Sequence, residues 1–209
     1  MKASVRSVAM VGMLALVLFA CGDSTATVDN LTSITSGDDG TTTTTTSPKA
    51  PLCSAAGLTI SRDALPNDLP AVVSGVRSEL LAASAACDFE RLGSMAEADG
   101  TSYTFGGGFD PAAYWSDLEA NGETPLADMV RLLELEPALF DVGEGNVFYV
   151  WPAVYALPNW SDATEEQRQE LADLFGADQL TGWDSFGGYV GYRVGITTDG
   201  RWAFFVAGD

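Results

Sequence analysis

Tyr189-Val190-Gly191-Tyr192-Arg193-Val194-Gly195-Ile196-Thr197, then Thr198-Asp199-Gly200, then Arg201-Trp202-Ala203-Phe204-Phe205-Val206-Ala207 decides how the fold is read. Two runs rich in β-branched and aromatic residues flank an Asp-Gly pair, whose members both accept positive φ, so the segment predicts a tight antiparallel hairpin. Strict alternation places Tyr192, Val194 and Ile196 on one face of the first strand and Trp202, Phe204 and Val206 on one face of the second. A sheet therefore closes the chain.

Working outward, the segments ahead of the hairpin are mostly helical. Leu69, Val72, Val73, Val76, Leu80 and Ala83 recur at helical spacing and predict an amphipathic helix over 69–86. A shorter helix follows over 88–98, with Phe89 and Leu92 inward, and 102–105 reads as a strand ending in Gly106-Gly107-Gly108. Asp110 before Pro111 and Thr124 before Pro125 are two helix starts of the same kind, an N-cap acceptor ahead of a first-turn proline. The second opens a helix with Leu126, Met129, Val130 and Leu133 on one face, halted at Glu136-Pro137. Val147 to Trp151 predicts a short apolar strand closed by Pro152. Thr164-Glu165-Glu166-Gln167 is a capping box that leads a helix through Leu171, Leu174 and Phe175 to Gly176.

Helices first and an antiparallel sheet late imply an α+β domain over 53–209. The expected arrangement is N-terminal helices followed by a curved antiparallel sheet, which by order of elements alone is similar to the cone of nuclear-transport-factor-2-like (NTF2-like) proteins. Phe148-Tyr149-Val150-Trp151-Pro152 and Gly191-Tyr192-Arg193-Val194-Gly195-Ile196, with Asp199-Gly200-Arg201-Trp202 behind, resemble phrases of a group of actinobacterial lipoproteins without assigned activity. The resemblance spans about residues 85–209. It implies an exterior single domain and carries no catalytic residue across.

The N-terminus gives the same address by independent signals. Lys2 and Arg6 precede an apolar run from Val8 to Ala20, and Leu18-Phe19-Ala20-Cys21 looks like a bacterial lipobox. That run is too short for a membrane span, which needs about 20 apolar residues. Residues 1–20 are therefore read as a lipoprotein signal peptide and Cys21 as the lipidated N-terminus, whose acyl chains hold the protein on the extracytoplasmic face of the cell membrane. Residues 21–52, with the unbroken run Thr41 to Thr46 between Gly37-Asp38-Asp39-Gly40 and Ser47-Pro48, carry too few apolar groups to offset ordering entropy, and are expected to form a disordered stalk.

Cysteine use fits an oxidising compartment. With Cys21 assigned to lipid, Cys53 and Cys87 are left as a pair, favoured as a disulfide over two free thiols. It would close a loop of about 35 residues, worth roughly 4 kcal/mol by chain entropy.

Charge excludes one class of partner. The whole chain carries −19, and loss of Lys2 and Arg6 with residues 1–20 makes it −21. Without a basic cluster there is nothing to release counterions from a phosphate backbone, so no nucleic acid is expected as partner. The lipid, a cell-envelope protein or an envelope glycan remain.

Chemistry is read mostly by exclusion. The chain has no histidine, which rules out Ser-His-Asp and Cys-His nucleophiles and histidine-bearing zinc motifs. Gly182-Trp183-Asp184-Ser185-Phe186-Gly187 departs from a nucleophile elbow because its first glycine lies three residues before the serine. Gly106-Gly107-Gly108 lacks the Lys-Ser/Thr of a phosphate loop. Glu97, Asp99, Asp110, Glu134 and Glu136 are the carboxylates a glycan hydrolase would draw on, although 29 acidic residues place such neighbours by composition alone. Asp141, Glu144 and Asn146 on a glycine-rich turn offer oxygen ligands for calcium, without EF-hand spacing. No cofactor is implied.

Aromatic residues point to a binding surface. Trp151, Tyr155 and Trp160 crowd among prolines, and Trp183, Phe186 and Tyr189 sit beside Gly187-Gly188 in an expected loop. Either set fills the core or lines a pocket. A pocket between the sheet and the 160–189 segment is the leading expectation. It makes the chain a ligand- or protein-binding module of the envelope, with a carboxylate-dependent cell-wall glycan hydrolase or a purely structural envelope protein as alternatives.

Overall fold

The computed structural model describes residues 53–61 and 68–208; the signal segment, the spacer and Cys21 lie outside them. Four helices come first: α1 (Ala71–Ala85), α2 (Phe89–Asp99), α3 (Pro111–Ala120) and α4 (Pro125–Glu134). Strands β1 (Ala138–Asp141) and β2 (Val147–Trp151) follow. Helices α5 (Glu165–Phe175) and α6 (Ala177–Phe186) then precede β3 (Arg193–Thr197) and β4 (Trp202–Val206). The sheet is an open, wholly antiparallel meander in the order β1-β2-β3-β4. The α+β class is as expected, with two helices inserted between its second and third strands.

Helix α4 is the centre of the domain. Leu126, Ala127, Met129, Val130, Leu132 and Leu133 are all buried, so the one-sided stripe expected there is in fact burial on nearly every side. The reason is that α4 packs against α1, α3 and β3 at once. Its two ends are satisfied by other elements, as buried helix termini must be. At the N-terminus, Thr124 does not cap through its side chain. Glu119 Oε1 accepts Leu126 N–H at 3.0 Å and Ser54 Oγ accepts Ala127 N–H at 3.0 Å. At the C-terminus, the buried Arg77 donates Nε to the Leu133 carbonyl at 2.6 Å, and Trp151 Nε1 donates to the Leu135 carbonyl at 3.1 Å. Burial pushes the Arg77 pKa down, opposed by Glu136 and Glu134.

Ser54 reaches α4 because its neighbour is stapled. Cys53 and Cys87 form the expected disulfide, with Cα atoms 5.7 Å apart. Cys87 follows the last turn of α1 and has φ 55, the left-handed conformation that usually falls to glycine after a helix. Ser54 then donates N–H and hydroxyl to the two Glu119 oxygens, each at 2.6 Å. The staple thus holds residues 53–55 against both α3 and α4.

The sheet lays Ile196, Val194, Trp151, Trp202 and Phe205 against the helices. Trp115 of α3 stacks on Trp202 at 5.4 Å and meets Phe205 at 6.1 Å. Strict alternation would have sent Trp202 and Phe205 to opposite faces. A bulge reconciles them: Ile196 pairs with Trp202 and Gly195 with Phe204, so Ala203 is the extra residue and the facing pattern of β4 flips behind it. Phe204 turns to the far face and covers Gly195, where a β-carbon would lie 2.2 Å from the ring. The hairpin is also one residue longer than Asp-Gly alone suggested. Thr197 N–H bonds to the Arg201 carbonyl at 2.9 Å across three loop residues, and only Gly200 takes positive φ.

The strand expected at 102–105 shortens to a single parallel bridge from Ser102 to Phe204. Ser102 satisfies the outer edge of β4 through Ala203 O and Phe205 N, after which the chain leaves the sheet for the glycine loop. Strand β1 was not legible in advance, being only four residues long directly behind Glu136-Pro137.

Candidate functional site

Beyond β2 the chain makes two single-turn 3-10 helices, Ala153–Ala156 and Trp160–Asp162. The Thr164–Gln167 capping box then starts α5, with both of its reciprocal bonds formed at 3.2 and 2.9 Å. Gly176 separates α5 from α6, and the two helices pack together. Between the 154–161 segment on one side and α5, α6 and Gly187–Tyr189 on the other lies a cleft of about 670 Å³. That volume falls within the span of roughly 300–1,000 Å³ usual for small-molecule sites.

One charged pair organises the cleft. Arg168 of α5 and Asp184 of α6 meet at 2.5 Å through Nη1 and Oδ1. The same carboxylate oxygen accepts Trp160 Nε1–H at 2.6 Å, and Arg168 Nη2 donates to the Trp160 carbonyl at 3.3 Å. The guanidinium lies 4.5 Å from the centre of the Trp160 ring, in cation–π contact. Three groups from three elements therefore fix one another. The hydrogen bonds from Arg168 and then Trp160 hold the Asp184 carboxyl below the usual carboxylate range, so it is ionised at neutral pH. Side-chain exposures of 21% for Arg168 and 47% for Asp184 leave both reachable from solvent.

A layer of aromatics backs this pair. Trp183 is 3% exposed and meets Trp160 edge-on at 6.3 Å, Phe175 at 5.7 Å and Tyr189 at 4.6 Å. Tyr189 is 8% exposed and donates its hydroxyl to the Tyr192 carbonyl at 2.5 Å. Burial pushes its pKa far up, so it stays neutral.

The structure sorts the aromatic residues singled out from sequence into three groups. Tyr155, Trp160 and Tyr189 line the cleft. Trp183 supports it from behind and offers no ring face to a ligand. Trp151 is buried in the helix-facing core, and Phe186, 60% exposed, is not among the lining residues. The expected loop around Trp183 and Phe186 is helix α6, which ends at Gly187 in the left-handed conformation. Thr181, Gly182, Asp184 and Ser185 are poor helix formers, which hid the element. Sequence reasoning also missed Arg168 and Asp184. The capping box announced α5, but nothing in one sequence distinguishes Asp184 from the other acidic residues until α6 is set against α5.

The remaining candidates lie elsewhere in the domain. Asp141 Oδ1 accepts Gly143 N–H at 2.8 Å, and Glu144, with φ 55, and Asn146 complete the β1–β2 turn. Among the described residues no three His, Cys, Asp or Glu side chains converge as a metal cage. Asp141, Glu144 and Asn146, the residues of the calcium expectation, thus share the turn between β1 and β2. Asp110 caps α3 through Ala113 N–H at 2.8 Å, Asp99 Oδ2 accepts Trp202 N–H at 2.8 Å, and Glu134 Oε1 accepts Ser61 N–H at 2.5 Å. Glu97 and Asp110 share a small groove with Glu90, and Glu136 is exposed ahead of β1. Among the described residues Asp184 is the single carboxylate lining the large cleft, so they assemble no pair of carboxylates there as glycan hydrolysis requires. Ser185 sits within α6 and donates to the Thr181 carbonyl, which removes the nucleophile-elbow geometry.

Comparison with known proteins adds no further likeness. No protein-family model, curated protein or solved structure matches the chain.

Proposed function

We propose that the protein is a lipid-tethered extracytoplasmic lipoprotein whose domain binds a ligand of the cell envelope in the cleft between residues 154–161 and α5–α6. The observation that carries the binding role is the Trp160–Arg168–Asp184 constellation. Three polar groups are locked by mutual bonds of 2.5–3.3 Å at the wall of a cleft of about 670 Å³, with solvent access to two of them. Such preorganisation lowers the ordering cost of binding. The tether rests on the lipobox ending in Cys21 and on the likeness of 148–152 and 191–202 to actinobacterial lipoproteins. The disulfide is in keeping with an oxidising exterior.

The experiment is retention of envelope components on the full chain, compared with a variant in which Arg168 and Asp184 are both alanine. Loss of retention by a variant that unfolds at the wild-type midpoint supports the cleft; equal retention contradicts it. For the tether, Cys21→Ala should move the chain out of the membrane fraction and abolish incorporation of labelled palmitate. A variant that stays membrane-bound would contradict the lipid anchor.

A further inference from the structure

The cleft's chemistry selects a class of ligand, an inference that rests on the cleft being the binding site. Arg168 and Asp184 cancel each other's charge at a separation of 2.5 Å. A net anion would meet the ionised Asp184 and the surplus of acidic residues in the chain, and a net cation would have to compete with the guanidinium already seated on the carboxylate. Neither ion gains by entering.

Hydrogen-bonding capacity at the site is nonetheless left over. Asp184 Oδ1 is saturated by Trp160 and Arg168, while Oδ2 has no partner among the described residues. The Asn159 amide donates one bond, to Asp162 Oδ2 at 3.0 Å, and its oxygen is unengaged among the described residues. Ser161 and Tyr155 line the same cleft, and their hydroxyls make no hydrogen bond to another described residue. Acceptors, dual-function hydroxyls and guanidinium N–H donors thus stand side by side in an electrically neutral site, with Val154, Leu157 and Pro158 as the apolar part of the wall. Adjacent hydroxyls, each both donor and acceptor, on a ring with apolar C–H faces are the complement of that arrangement.

We infer that the cleft binds an uncharged saccharide through its hydroxyl groups, with Asp184 Oδ2 and the outer edge of Arg168 as the paired acceptor and donor. Trp160 is a positioning residue. Its ring is covered by Arg168, so it sets the pair rather than stacking on sugar.

The test titrates the full chain with neutral di- and trisaccharides of gluco, galacto and manno configuration, and with their uronic-acid and amino-sugar counterparts. The readout is the indole N–H resonances, with affinities from calorimetry. A neutral sugar should shift the Trp160 indole and bind at least about tenfold tighter than its charged counterparts. Asp184→Asn and Asn159→Ala should each weaken it, the first by about tenfold, the size expected for losing a hydrogen bond to a charged acceptor. Asn159 is exposed outside the pair, so its variant keeps the test valid if Asp184→Asn perturbs α6. Tighter binding of a charged counterpart overturns the inference. So does a Trp160 shift produced by an envelope extract but by none of the sugars and by no neutral polysaccharide purified from that extract, a result that leaves the binding-module reading standing. Silence of Trp160 toward sugars and extract alike overturns both. A response to envelope polysaccharide that the small sugars do not reproduce locates the source in the polymer and supports the inference when that polymer is neutral.

Discussion

Two tryptophan clusters in this domain face opposite tasks. Trp115 and Trp202 stack at 5.4 Å between helix and sheet, both fully buried, and the Trp115 indole N–H has no partner among the described residues. Trp160 and Trp183 meet edge-on at 6.3 Å, and Trp160 hands its N–H to an ionised carboxylate that solvent reaches. The first cluster is apolar surface removed from water and held by area and fit. The second connects the core to a charged pair on a cleft wall, where geometry matters more than area. The same residue type stabilises in one place and positions in the other.

Substitutions should separate the two. Trp202→Ala removes a buried ring from the stacked cluster and should destabilise by about 3–5 kcal/mol in urea unfolding. A loss below about 1 kcal/mol would mean the stack contributes little beyond its neighbours. Replacing both Cys53 and Cys87 by serine frees residues 53–55 from α3 and α4 and should cost about 2–4 kcal/mol, read by the same measurement with and without reductant. Wild-type protein in reductant should unfold as the serine variant does; a difference between them would place the effect outside the disulfide.

Asp184→Asn should move the unfolding midpoint least of the three, because its carboxylate is exposed, yet it should alter Trp160 emission by releasing the guanidinium from its ring. A large stability loss would instead assign the pair to the fold. The smallest effect concerns pH. The folded Asp184 pKa lies below the unfolded value of about 3.9, so the pair is complete above that value and is lost only as pH falls through the lower folded pKa. Trp160 emission should stay flat from neutral pH down to about 4 and change below it. A transition near pH 6 would show that another group controls the ring.

The two clusters were also unequally legible in the sequence. The Thr198-Asp199-Gly200 turn, the capping box at Thr164 and the proline-led starts at Asp110 and Thr124 located the β3–β4 hairpin, α5, α3 and α4, because each is a local signal with a local cause. The joining of Phe205 to the Trp115–Trp202 stack was not readable. It depends on the bulge at Ala203, which reverses the alternation on which any face assignment rests. The cleft was legible as a region but not as a site. Aromatics between 155 and 189 marked the neighbourhood, whereas Arg168 and Asp184 lie on different helices, one hidden by weak helix formers, and only packing joins them.

The most direct measurement resolves all five tryptophan indole N–H signals of the full chain while an extract of its own envelope is added. A shift is expected at Trp160, a smaller one at Trp183 behind it, and none at Trp115 or Trp202. Shifts at Trp115 or Trp202 with Trp160 unmoved, or no shift at any indole, would contradict the assignment of the cleft as the binding site.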